Sequence, residues 1–101
     1  MTDDRMDVLI VYDIDTKTAK GRRRWRVICQ LCKDCGQRVQ FSVFECRLTQ
    51  AQFEDIEAKA VGNMDAEKDS LRFYVLRGGR EAALRAYGID RYRDFDEPLV
   101  Y

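Results

Sequence analysis

The run Val8-Leu9-Ile10-Val11-Tyr12-Asp13-Ile14 constrains the fold more than any other part of this chain. It is continuously apolar and rich in branched side chains, with one acid near its end. Side chains alternate faces along a strand, so an unbroken apolar run is apolar on both faces. Such a strand belongs in the middle of a sheet with cover on both sides. Val8, Ile10 and Tyr12 share one face; Leu9, Val11 and Asp13 share the other.

The rest of the pattern fits around that strand. Residues 15–21 are polar and end in Gly21, which reads as a loop. A helix is expected from Arg22 to Cys35, stopped by Gly36. Its apolar arc holds Trp25, Val27, Ile28, Leu31, Cys32 and Cys35, with Arg24 projecting into the middle of the arc. From Arg38 to Thr49 the chain reads as extended. Val39, Phe41 and Val43 alternate, then Phe44, Cys46 and Leu48 continue out of phase. A period of two changes phase only at a bulge or a break, so the chain bends near Ser42-Val43-Phe44. Thr49 and Gln52 form a capping box that opens a second helix with Phe53, Ile56, Ala60, Val61 and Met64 as its apolar stripe. A third strand segment covers Leu71–Arg77 and breaks at Gly78-Gly79. Glu81–Tyr87 suits a short helical turn, and Pro98–Tyr101 an edge strand of the tail.

This order is an α+β arrangement of the ferredoxin-like kind, βαββαβ with an extra C-terminal strand. The 101 residues make one domain, with 1–5 as an extension and 96–101 as the tail. Both helices cover one face of the sheet. The Leu9/Val11/Asp13 face then lacks cover within one chain, so a sheet-to-sheet homodimer is expected. The tail strand is expected to pair with a sheet edge of the partner chain. No apolar stretch reaches the length of a membrane span, and the polar N-terminus lacks a signal region, so a cytoplasmic location is expected.

Composition narrows the chemistry. The chain contains no histidine, which removes Ser-His and Cys-His nucleophile pairs, imidazole bases and His-ligated zinc. Hydrolysis would have to run on carboxylates with a hard metal such as magnesium. Net charge is zero, from 18 basic and 18 acidic residues, yet the basic ones cluster in Arg22-Arg23-Arg24-Trp25-Arg26. Clustering, not net charge, decides nucleic-acid contact. These arginines are either a solvated face or a phosphate-binding end of the helix. Cys29, Cys32 and Cys35 lie at spacings of three inside a helical pattern, without the tight turn of a zinc knuckle, and read as small core residues. Asp13 reads either as a loop-proximal cap or as a functional carboxylate toward which Arg24 converges.

Several segments together resemble one family. Tyr12-Asp13 closes the first strand, and Arg24-Trp25-Arg26-Val27 opens the helix. Gly36 to Glu45 contains Arg-Val-Gln-x-Ser-Val-Phe-Glu, Asp69-Ser70-Leu71-Arg72-Phe73-Tyr74 opens a later strand, and the tail is Asp96-Glu97-Pro98-Leu99-Val100-Tyr101. From Met6 to Tyr101 these are similar to the small CRISPR-associated adaptation nuclease, CRISPR-associated protein two, in its longer-tailed members. Met1–Arg5 has no counterpart, and Met6 is an alternative start. The resemblance implies a ferredoxin-like homodimer with metal-dependent endonuclease activity on RNA or DNA. It also implies a bridging role between integrase dimers in the spacer-integration complex. Asp13 from each subunit would be the ligand of Mg2+ (or Mn2+), with Tyr12, Arg24, Arg26, Arg38 and Phe44 as supporting residues. A purely structural bridge and a toxin-type ribonuclease of the same fold are the competing functions.

Overall fold

The computed structural model describes residues 4–93. The elements run β1 (Met6–Asp13), α1 (Ala19–Cys35), β2 (Gly36–Gln40), β3 (Val43–Leu48), α2 (Gln50–Gly62), β4 (Ser70–Leu76) and the short α3 (Arg80–Ala83). The four strands form one antiparallel sheet in the order β2-β3-β1-β4. This is the ferredoxin-like α+β arrangement. The tail strand and its edge pairing lie outside the described residues. None of the described helices is long and apolar enough to cross a membrane.

β1 is central, as its apolar run requires. It pairs with β3 from Met6 to Val11 and with β4 from Asp7 to Asp13. Val8, Ile10 and Tyr12 are buried with Ile28, Cys29 and Cys32 of α1 and Phe44, Cys46 and Leu48 of β3. Phe53, Ile56, Met64, Leu71 and Phe73 pack against this core. Burying one such aliphatic or aromatic side chain stabilises a fold by about 1.5–3 kcal/mol.

The phase change falls where the pattern puts it. β2 and β3 form a hairpin whose turn is Phe41-Ser42, with an irregular register between Arg38 and Gln40. Val39 and Phe41 stay exposed beside that irregularity. Gly36 ends α1, but its φ of −154° is extended rather than left-handed. Its requirement is spatial: a Cβ there would collide with the Cys46 Sγ and the Glu45 carbonyl oxygen. The Thr49–Gln52 capping box forms with both reciprocal bonds.

Four expectations shift. α1 starts at Ala19, not Arg22, because the Thr18 hydroxyl accepts from the Gly21 amide at 3.0 Å and caps the helix. Gly21 is therefore a buried helical residue, not a loop residue. Val61 is 54% exposed and leaves the apolar stripe of α2. The turn expected at Glu81–Tyr87 is confined to Arg80–Ala83, since Leu84 is extended.

The second face of the sheet is partly covered by the chain itself. Arg80 donates to Glu45 and Asp90, and its guanidinium carbon lies 3.6 Å from the Tyr92 ring centroid. Its backbone N–H donates to Asp7 at 2.7 Å, and Asp7 also accepts from Arg47 at 3.0 Å. Gln37 exchanges two hydrogen bonds with the Arg93 backbone. Arg80, Tyr92 and Arg93 thus lie over the Asp7, Glu45 and Gln37 part of this face, which also carries half-buried Leu9 and Val11.

Two glycines test this packing in opposite directions. A Cβ at Gly21 would strike the Asp15 carbonyl oxygen, whereas Gly62 has nothing within 4 Å. Gly21→Ala is expected to destabilise by about 1–3 kcal/mol, the usual cost of overpacking. Gly62→Ala should stabilise by about 0.5–1 kcal/mol through the unfolded chain and helix propensity. Urea midpoints of both variants read the two signs directly.

Candidate functional site

The carboxyl end of β1 is organised by Asp69, the residue just before β4. Its side chain is fully buried and accepts from Arg24 Nε at 2.7 Å and Arg24 Nη2 at 3.3 Å. The backbone amides of Asp15 and Asp65 donate to the same carboxylate at 3.0 and 2.8 Å. One side chain thereby joins α1, the β1–α1 loop and the turn before β4. Burial pushes the Asp69 carboxyl up, but Arg24 and the two amides outweigh it and hold it below the ordinary carboxylate range. Arg24 does reach the Asp13 end of the sheet, but its carboxylate partner is Asp69. In the sequence Asp69 stands out only as the residue directly before an apolar strand.

Asp13 is the exposed last residue of β1, on the open face of the sheet, with no hydrogen-bond or ion-pair partner among the described residues. It caps no turn there. Tyr12, its neighbour, points the opposite way and is 2% exposed. Tyr12 stacks on Phe44 with ring centroids 6.2 Å apart and donates to the Phe41 carbonyl at 3.4 Å. Burial, then its hydrogen bond with Cys29, pushes the phenol well above its ordinary range, so it stays neutral.

Arg38 joins this inner group. Its guanidinium donates to the Cys29 Sγ at 3.1 Å and lies 5.2 Å from the Phe44 ring centroid and 5.7 Å from that of Phe41. Phe41 in turn stacks on Trp25 at 5.5 Å. Tyr12, Arg38 and Phe44 therefore meet in one aromatic and cationic cluster. Arg26 is exposed on α1, apart from that cluster. The structure thus brings together three of the six sequence candidates and separates Asp13, Arg24 and Arg26 from them.

Arg22, Arg23 and Arg26 are exposed along α1. A cleft of about 340 Å³ beside them is lined by Lys20, Arg23, Arg24, Val27 and Asn63. Its cationic lining suits an anion such as a phosphodiester. A metal fits one chain poorly: no group of three His, Cys, Asp or Glu residues that could hold an ion exists among the described residues. Asp13 alone offers one carboxylate, short of a protein-held site for a hard divalent cation.

Comparison with known proteins decides the family. The family model described as CRISPR associated protein Cas2 matches residues 6–82. This chain belongs to the Cas2 family. A Moorella thermoacetica relative named CRISPR-associated endoribonuclease Cas2 1 is 46% identical over 95 residues, covering 94% of this chain and 99% of its own. A Cas2 named CRISPR-associated endonuclease, from Halalkalibacterium halodurans, is 36% identical over 95% of this chain and 100% of its own. The crystal structure of Streptococcus pyogenes Cas2 superposes with a TM-score of 0.71 at 44% identity, covering 82% of this chain and all of that one, 100%. A hypothetical protein from Thermus thermophilus gives 0.68 at 30% identity, over 84% and 93% of the two chains.

The Asp69 hub gives a pH prediction. Its folded-state carboxyl lies below the unfolded value, so its contribution is present above that value and is lost as pH falls through the folded one. Asp69→Asn should lower the urea midpoint at neutral pH. The gap between wild type and variant should then narrow below about pH 4, the ordinary carboxylate range. A gap independent of pH would show that the charge is not what holds the hub.

Proposed function

We propose that this Cas2-family chain acts on nucleic-acid phosphodiester bonds as a homodimer, with Asp13 of each copy at the shared centre. The observation that carries this reading is the exposed Asp13 carboxylate at the end of the central strand, without a partner among the described residues. The printed names of the relatives, endoribonuclease and endonuclease, support the reaction class. The half-buried strip Leu9, Val11 and Val43, with exposed Tyr74 opposite Leu9, supports pairing of two open faces near Asp13. Magnesium or manganese would be an ion shared by two Asp13 carboxylates and phosphate oxygens, since no sufficient ligand group exists among the described residues of one chain. Arg22, Arg23 and Arg26 would hold the nucleic-acid backbone, and the dimer would also bridge integrase subunits during spacer acquisition. The deficit of metal ligands among the described residues of one chain equally favours a second reading, a bridge without cleavage.

One substitution separates the two readings. Asp13→Asn keeps shape but removes the charge, and Asp13 has no structural partner among the described residues. The variant should stay folded and dimeric by sedimentation, and should lose cleavage of short RNA and duplex DNA that wild type performs and EDTA stops. Equal cutting by variant and wild type would reject Asp13 as the centre. Absence of cutting by both, with integrase binding retained, selects the bridge.

Phosphate contact has its own signature. Replacing Arg22 and Arg23 by Glu should weaken nucleic-acid binding alike for all sequences. The slope of log affinity against log salt should flatten by roughly one to two. Binding unchanged in that double variant would place the contact on another surface.

A further inference from the structure

Four cysteines crowd one corner of the core, at the end of α1 and the middle of β3, and the proposed activity uses none of their thiols. They are not equivalent. Cys29, Cys32 and Cys46 are buried, at 3%, 2% and 1% exposure, while Cys35 is half-buried. The Cys35 and Cys46 sulfurs are 3.3 Å apart and hydrogen-bonded, and Cys35 also donates to the Cys32 carbonyl at 3.5 Å. Cys29 is engaged by Arg38 instead. No three of these residues form a group able to hold a metal.

The close approach has a structural cause. Cys35 is the last residue of α1, and the next residue, Gly36, pairs directly with Cys46. A side chain at position 36 would collide with the Cys46 sulfur, so the absence of a Cβ there lets the two thiols meet. Non-bonded sulfurs at this separation need only a small displacement to reach a disulfide bond length of about 2.05 Å.

We propose that Cys35 and Cys46 form a reversible disulfide when the chain meets a peroxide, stapling the end of α1 to β3. Cys35 is the sulfur that reacts first, because it alone of the pair reaches solvent. The hydrogen bond from Cys46 eases loss of the Cys35 proton, and the same bond followed by burial opposes ionisation of Cys46. The Cys35 thiolate attacks one oxygen of hydrogen peroxide; the O–O bond breaks, a sulfenic acid forms, and the other oxygen leaves as water. The Cys46 sulfur then attacks the sulfenic sulfur, its proton leaving with the displaced hydroxyl as a second water. Two thiols are oxidised to one disulfide and one peroxide is reduced to two waters. A dithiol reductant reverses the bond by exchange.

Tryptic mapping distinguishes this pair from every other. Cleavage after Arg26, Lys33, Arg38 and Arg47 places Cys29 and Cys32 in Val27–Lys33, Cys35 in Asp34–Arg38 and Cys46 in Val39–Arg47. The folded chain is treated with stoichiometric hydrogen peroxide, denatured, alkylated and digested. The expected product joins Asp34–Arg38 to Val39–Arg47, two hydrogens lighter than the free peptides together. The oxidised chain should show a higher urea midpoint that falls back on adding dithiothreitol. Cys35→Ser, at the half-buried position, should give no bridge and no dithiothreitol-sensitive midpoint. A bridge through Val27–Lys33 instead, a sulfinic acid on Cys35 without a bridge, or a midpoint indifferent to dithiothreitol would each overturn the proposal.

Discussion

A single buried carboxylate fixes the geometry where the start of α1 meets the carboxyl end of β1. Asp69 takes hydrogen bonds from one guanidinium and two backbone amides contributed by three separate segments. Burying a carboxylate is costly, and the cost is offset only when its oxygens are filled by charged and neutral donors together. Here they are filled. The consequence reaches beyond local stability: Arg24 is tied to the start of β4, so the first turns of α1 cannot drift relative to the end of β1. Gly21 completes the arrangement by letting the helix backbone approach the Asp15 carbonyl. The distance between the arginine-rich stretch of α1 and Asp13 is therefore set by packing and ionic contacts, not by a flexible loop.

What could be read in advance follows from how local each cause is. The central strand, the capping box of α2 and the break at Gly36 rest on periodicity or on residues three apart, and all appear. The hairpin at Phe41-Ser42 was legible as a change of phase, which no continuous strand can make. The start of α1 was missed because Thr18 caps a turn whose N3 residue is Gly21, so the reciprocal Glu or Gln of a capping box is absent. The Asp69 hub was illegible for a different reason. Its donors come from residues 24, 15 and 65, and only tertiary contact gathers them. The partial cover over the second sheet face was hidden in the same way, since Arg80, Glu45 and Asp7 come together from distant positions.

Tyr12 and Asp13 show why adjacency in sequence says little about shared chemistry in a strand. Alternation sends one side chain into the helix-covered core and the next to the open face. Tyr12 is packed against Phe44 and held neutral by burial, so it serves the position of β1 rather than proton transfer. Arg38 extends that inner cluster by lying over Phe44 and Phe41, a cation placed on aromatic faces where its charge is partly compensated. These residues shape the frame behind the strand end. Asp13 faces away from all of them, toward whatever meets the open side of the sheet.

Zero net charge conceals a strongly divided surface. Several acids are consumed internally: Asp69 by Arg24, Asp7 by Arg47, and Glu45 and Asp90 by Arg80. Three guanidiniums and four carboxylates are thereby largely withdrawn from what a ligand encounters. Among the described residues, Arg22, Arg23 and Arg26 have no carboxylate partner, and neither does Asp13. The chain thus presents an uncompensated cationic helix and an uncompensated carboxylate at the two sides of one rigid junction. A polyanion is attracted to the first and repelled by the second unless a cation neutralises it. In the proposed dimer two such carboxylates would repel each other and the phosphates alike, so the proposed centre would depend on a cation to balance them.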